Sequence, residues 1–304
     1  MEDTNDTLFT NQTELLTEKP VHLEDKSSSE ADNKDSLINE DAILPFAKIL
    51  EASVHVGLAV THWNPRMSSY VFQKKRRYCV MNVQKISAAL QNAFDYLKKV
   101  VADGGQVLFV DARNRYVQEW IRDNCSDVKN VHFVAQRWLG GTLTNFKTMN
   151  NSVEKLNSLV ALKNSPDFAR YTKKEQIEIE KKITKLVKFF GGIIQMKGLP
   201  DVIVLTDPIT GKNTVSEAMK LGIPVVSLAN TNANPELINH LIPCNTHSSR
   251  AVILILSVLL DAVKMACGQE PTVAFKKSEE ITLFSLPRVE HVRKIVNHRI
   301  SKRR

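Results

Sequence analysis

The sequence predicts an α/β fold: a doubly wound parallel sheet interrupted by an inserted antiparallel coiled-coil hairpin. Three observations lead there. Short, continuously apolar runs alternate with amphipathic stretches, and turn-forming Gly, Pro, Asp or Asn stand between them. One long stretch breaks this alternation and steps its apolar residues by three and four instead.

The elements follow in order. Val83, Ile86, Leu90, Phe94, Leu97 and Val101 keep helical spacing until Asp103-Gly104-Gly105 stops them. Val107 to Val110 is apolar without a break, as a strand covered on both faces must be. A helix over 115–124 and a strand over 131–134 come next. Strand 202–205, helix 214–221, strand 225–228 and a short helix near 235–240 precede the long apolar helix after Ser248. Right-handed crossovers would join the strands into one sheet. The interruption spans about 143–192. Phe146, Met149, Val153, Leu156 and Val160 form one stripe and Ile179, Ile183, Leu186, Phe190 and Ile193 the other, with Asn164 to Asp167 as the bend and Gly191-Gly192 closing the insertion.

Charge divides the chain. Residues 1–41 hold twelve acids against three lysines, a net of −9, which leaves +17 on the rest of a chain whose formal charge is +8. So polar a segment cannot offset its ordering entropy, and disorder is expected for it. The folded body is taken as 42–270, with a basic extension over 271–304. In that extension Val289, Val292, Ile295, Val296 and Ile300 could line one face of a short basic helix. A body this basic implies a polyanionic partner, because each neutralised phosphate releases a counterion.

Several classes are excluded. The four cysteines, Cys79, Cys125, Cys244 and Cys267, form no CxxC pair, which argues for free thiols in a reducing compartment. The N-terminus resembles neither a signal nor a transit peptide, and the apolar run from Ala251 to Leu260 is about half a membrane span. No phosphate-binding GxGxxG follows Val110, and the run Thr210 to Thr214 lacks the first glycine and the magnesium-binding hydroxyl of a P-loop. His55, His62, His240 and His247 have no metal-ligand spacing. No catalytic residue, metal or cofactor is therefore expected. Asp207 and Asn230 sit where a crevice would open and would serve an alternative: an α/β enzyme acting on a phosphorylated small molecule. Their plainer role is to bond loop amides. A free cytosolic adaptor recruiting proteins through the hairpin is a third reading.

Three segments are dense in unusual residue types. Thr61 to Met67, followed by Tyr70, Phe72 and the run Lys74-Lys75-Arg76-Arg77, interleaves aromatic rings with cations. That mixture suits RNA, although Trp63, Tyr70 and Phe72 could equally pack beneath the sheet. Gln136 to Phe146 carries a double glycine and two threonines able to cap the coming helix. Gly191 to Asp201 leads on to Leu221 to Val226.

In this order and spacing the three segments resemble the S2 family of small-subunit ribosomal proteins, in its bacterial or organellar form, over roughly residues 43–267. The resemblance implies a flavodoxin-like sheet with an inserted coiled-coil hairpin and no enzymatic activity. It implies binding to small-subunit ribosomal RNA and neighbouring ribosomal proteins, with the large RNA-binding protein S1 a further partner. That would support subunit assembly and translation initiation. Neither a membrane nor a second copy is expected as partner, and the bacterial cytosol is favoured over an organelle. The contacts expected from charge and motif position are Trp63, Asn64, Arg66, Lys74, Lys75, Arg76, Arg77, Arg113, Arg137 and Lys147. Two departures from the family pattern, Asn230 and Thr246 in place of carboxylates, weaken any case for a divalent ion there.

A chain ending near residue 270 is expected to bind ribosomal RNA more weakly, with a shallower salt dependence. Unchanged affinity and slope in filter binding would remove the basic extension from the RNA-binding surface.

Overall fold

The computed structural model describes residues 42–285, apart from Arg76 and Ala112. The disorder expected for 1–41 and the helix expected over 288–304 lie outside the described residues.

Among the described residues, chain order begins with helix α1 (Phe46–Glu51), strands β1 (Val71–Lys74) and β2 (Cys79–Met81) and helix α2 (Val83–Ala102). Strand β3 (Val107–Val110), helix α3 (Arg115–Cys125) and strand β4 (Val131–Val134) follow. Helices α4 (Phe146–Asn164) and α5 (Lys173–Phe190) come next, then strand β5 (Val202–Leu205), helix α6 (Lys212–Leu221), strands β6 (Val225–Ala229) and β7 (His240–Pro243), and helix α7 (Ser249–Ala266). The main sheet is five-stranded in the order β4-β3-β5-β6-β7, and every pairing in it is parallel. This is the order of flavodoxin-like doubly wound sheets.

Period-two alternation sorts the strand residues between two cores. Val107, Phe109, Val202 and Val204 face a layer that includes Phe94, Leu97, Ile121 and Leu256 from α2, α3 and α7. Leu108, Val110, Ile203 and Leu205 face the opposite layer, with Leu156, Phe190, Val215 and Ala218 from α4, α5 and α6. Burial on both faces is why these strands contain no polar residue to mark a solvent side. Side-chain caps start the helices: Asn82 accepts from Gln84 N (2.9 Å), Asn114 from Tyr116 N (3.0 Å) and Ser248 from Ala251 N (3.3 Å).

Helices α4 and α5 fold back on one another across a 3-10 turn at Pro166–Arg170, with Lys163 Nζ 3.0 Å from Glu180 Oε1. Thr172 and Glu175 form a reciprocal capping box at the start of α5. Neither Thr142 nor Thr144 caps α4. Asn145 takes the N-cap position without a side-chain bond, because Thr142 donates to Leu139 O and Thr144 to Glu217. Gly192 is required by close approach: a Cβ there would lie 2.2 Å from the Phe133 carbonyl oxygen.

Two features differ from the sequence reading. The short helix expected near 235–240 is a 3-10 turn at Pro235–Leu237, followed by β7, which completes the sheet. Four residues entered through a Pro-containing turn are too few to leave a periodic signature. The β1–β2 hairpin was likewise hidden, since a register shift between Val71 and Gln73 breaks its alternation. Beyond residue 270 the chain still packs. Asp261, buried in α7, accepts from Thr272 Oγ1 (2.6 Å), Val273 N (2.6 Å) and Ala274 N (2.9 Å), and Ala274 and Ile281 join the core. Removal of the basic extension is therefore cleaner after Ser285 than at 270.

Gly192→Ala should destabilise the chain by roughly 1–3 kcal/mol through overpacking against β4, measured by denaturant unfolding. Gly140→Ala, where a Cβ meets nothing within 4 Å, should change stability much less.

Candidate nucleic-acid interface

All five strands of the main sheet run parallel, so their carboxyl ends share one edge. Loops leaving that edge carry Arg113, Arg137, Asp207 and Asn230, and the stretch around Asn64 is bonded to one of them. Asn64 is sewn to the loop after β6: its N–H donates to Thr231 O (2.7 Å), its Nδ2 donates to Ala233 O (2.9 Å), and its Oδ1 accepts from Arg66 N (3.1 Å). Below it, fully buried Met67 packs with Ala229, Ala233, Ile238 and Leu241, and Tyr70 leans on the same cluster. Arg66 pairs with Glu236 at 2.7 Å, both side chains more than half exposed, a geometry that adds little stability.

The aromatic residues part company here. Tyr70 packs inward, whereas Phe72 on β1 is 72 % exposed. Trp63 is half-buried, with Lys74 Nζ 3.3 Å from its ring centroid, a cation–π contact. Lys75, Arg77 and Tyr78 are exposed around the turn of the hairpin, which Lys75 N closes on Tyr78 O at 2.9 Å. Arg76 lies outside the described residues.

At the carboxyl end of β3, Arg113 Nη1 meets Asp207 Oδ2 at 3.0 Å, and its Nη2 lies 3.0 Å from a ring nitrogen of His247. Burial first, then the Arg113 charge, push the His247 pKa down, opposed by Asp207. Asp207 is spent on its own loop: it accepts from Ile209 N (3.2 Å) and Thr210 Oγ1 (2.6 Å). Asn230 Oδ1 accepts from Thr231 N at 2.7 Å. Both residues thus play the loop-bonding role, and Gly211-Lys212 is the tight entry to α6. Asp111, behind them, bonds Thr206 Oγ1, and burial raises its pKa. Among the described residues no group of three or more His, Cys, Asp or Glu is placed to hold a metal ion.

The third site was not legible in the sequence. Glu217, on α6 and 8 % exposed, accepts hydrogen bonds along the whole turn between Trp138 and Thr144. Trp138 Nε1 (3.0 Å) and Gly141 N (2.9 Å) donate to Oε1; Leu143 N (3.0 Å), Thr144 N (3.3 Å) and Thr144 Oγ1 (3.3 Å) donate to Oε2. Burial works to raise its pKa, but these donors outweigh burial and hold the carboxyl below the ordinary glutamate value. Gly141 turns the loop with φ +87°. Arg137 just before the loop and Lys147 in the first turn of α4 are exposed. Among the described hydrogen bonds and ring contacts, none joins Arg137 or Lys147 to the Trp63 edge. The one signal for Glu217 was an acid three residues after Thr214 on the apolar side of α6, which reads as an ordinary solvated Glu until the fold covers it.

Fold and edge together define an α/β scaffold with a helical hairpin and a cationic rim at the carboxyl ends of its strands. The chain belongs to the ribosomal protein S2 family, whose model matches residues 49–266. It is 41 % identical over 277 residues to the small ribosomal subunit protein uS2 of Ureaplasma parvum serovar 3, covering 89 % of this chain and 79 % of that one. Its identity to the protein of the same name from Mycoplasma pneumoniae is 40 % over 263 residues (86 % and 88 % covered), and to that from Mycoplasma genitalium 39 % over 266 residues (86 % and 92 %).

Because the folded pKa of Glu217 lies below its unfolded one, its contribution is complete above the ordinary glutamate range and is lost as pH falls through the depressed value. Thermal unfolding of wild type and Glu217→Gln should differ at neutral pH and converge in acid. A constant gap down to the acid limit would contradict an ionised Glu217.

Proposed function

We propose that this chain is a structural, non-enzymatic constituent of the small ribosomal subunit that holds ribosomal RNA along the carboxyl edge of its sheet. Membership of the ribosomal protein S2 family carries the first part. The observation that carries the second is the convergence on one edge of Asn64 bound to the β6 loop, Arg113 after β3 and Arg137 after β4. In this reading Lys75, Arg77, Arg137 and Lys147 meet phosphates directly, and Trp63, Phe72 and Lys74 offer a mixed aromatic and cationic surface. Arg66 exchanges its exposed carboxylate partner for RNA, Arg113 presents its guanidinium while held by buried Asp207, and Asn64 acts from behind by fixing the loop. Arg76 belongs to the same run of cations.

The α4–α5 hairpin is an antiparallel coiled-coil arm of the 42–270 body in this proposal, supported by the Lys163–Glu180 pair and the shared apolar seam. Its lysines are candidates for further RNA or protein contact. Neighbouring small-subunit proteins, and S1 where the cell has one, are the expected protein partners. The relatives come from mycoplasmas, which favours ribosomes of a bacterial cytosol. No helix among the described residues is long and apolar enough to cross a membrane.

Sedimentation of a cell lysate through sucrose gradients at moderate and high salt tests this. The chain should co-migrate with small subunits and whole ribosomes and loosen as salt rises. Recovery only at the top of the gradient at both salts would refute the proposal.

A further inference from the structure

We infer that Glu217 is a positioning residue for RNA contact: it pre-orders the loop that presents Arg137 and leads to Lys147. The inference rests on the RNA-binding reading above and deepens it.

Every hydrogen bond recorded for the Glu217 carboxylate comes from the stretch between Trp138 and Thr144. A residue serving only to seat α6 on the body would need no charge, since an apolar pair fills such a contact at lower desolvation cost. What a buried carboxylate adds is direction. Backbone amides of Gly141, Leu143 and Thr144 must turn inward together to satisfy it, and the indole N–H of Trp138 must point the same way. With those groups fixed, Trp138 is 7 % exposed, and the adjoining Arg137 leaves the loop from an anchored backbone. Thr144, bonded twice to Oε2, sits three positions before Lys147 at the head of α4. Two exposed cations therefore flank a loop held by one buried charge. Binding then does not have to order the loop, and that saving appears as affinity. Glu217 itself is internal and touches no ligand.

Full-length chain would be titrated by filter binding, at several salt concentrations, against a transcript of a mycoplasma small-subunit ribosomal RNA. Arg137→Ala should weaken binding about tenfold and lower the log–log salt slope by about 0.7–0.9. Glu217→Gln offers one acceptor oxygen and two unwanted donors, so it should reproduce most of that loss, and the double variant should lose little more. Gly141→Ala strains the loop at φ +87° while leaving the carboxylate intact. It should act in the same direction and gives the answer if Glu217→Gln fails to fold. Circular dichroism monitors folding in each variant.

Folded Glu217→Gln and Gly141→Ala variants that bind like wild type, while Arg137→Ala binds weakly, would overturn the inference and leave the RNA-binding reading standing. Unchanged binding by Arg137→Ala and Lys147→Ala alike would also overturn it, because the loop would then present nothing that matters. A wild-type chain that does not bind the transcript at all would instead remove the reading on which the inference rests.

Discussion

A parallel sheet covered by helices on both faces has one place where its chemistry can reach the surface, and that is the ends of its strands. Loops there must satisfy backbone amides that no longer have a ladder partner, close to a core that admits little water. The chain meets this demand with buried or nearly buried carboxylates. Asp111 bonds Thr206 and Asn114 N, Asp207 closes the turn into α6, and Glu217 gathers the donors between Trp138 and Thr144. The rim geometry depends on these internal acids, not on contacts among the exposed cations.

This arrangement separates two kinds of charge. Arg113 is bound to an acid that is 5 % exposed, so its orientation is set before any partner arrives. Arg66 pairs with an exposed acid and can exchange partners at little cost. Lys75, Arg77, Arg137 and Lys147 are exposed cations of the rim and loops. Near the crevice, Asp207 and the Asn230 Oδ1 are engaged in shaping loops, whereas the buried Asn230 Nδ2 has no hydrogen-bond partner among the described residues.

The hairpin shows the complementary logic. Val153, Leu156, Ile183, Leu186 and Phe190 share one apolar seam with Leu108 and Ile203 of the sheet, so the insertion is continuous with the second core at its base. Gly192 permits the return, because the chain there passes against the Phe133 carbonyl with no room for a side chain. Asp261 plays a corresponding part in the first core, drawing residues 272–274 back onto α7.

The sequence by itself determined the alternation of strands and helices, the hairpin insertion and the basic character of the body. Each of these is written in local periodicity or composition, which need no knowledge of distant residues. It also determined the family, since the Gln136–Phe146 and Leu221–Val226 segments are read as words. Tertiary structure decided the rest. Strand β7 and the β1–β2 hairpin are too short or too irregular to be periodic, and they exist because a neighbouring strand offers them a ladder. Glu217 looks like any solvated glutamate until a loop far away in the chain closes over it. The bonds of Asn64 to Thr231 and Ala233, the latter 169 positions away, are equally invisible in the sequence. The physical reason is the same in each case: a polar side chain has its meaning set by which donors and acceptors reach it, and sequence spacing does not record who arrives from across the fold.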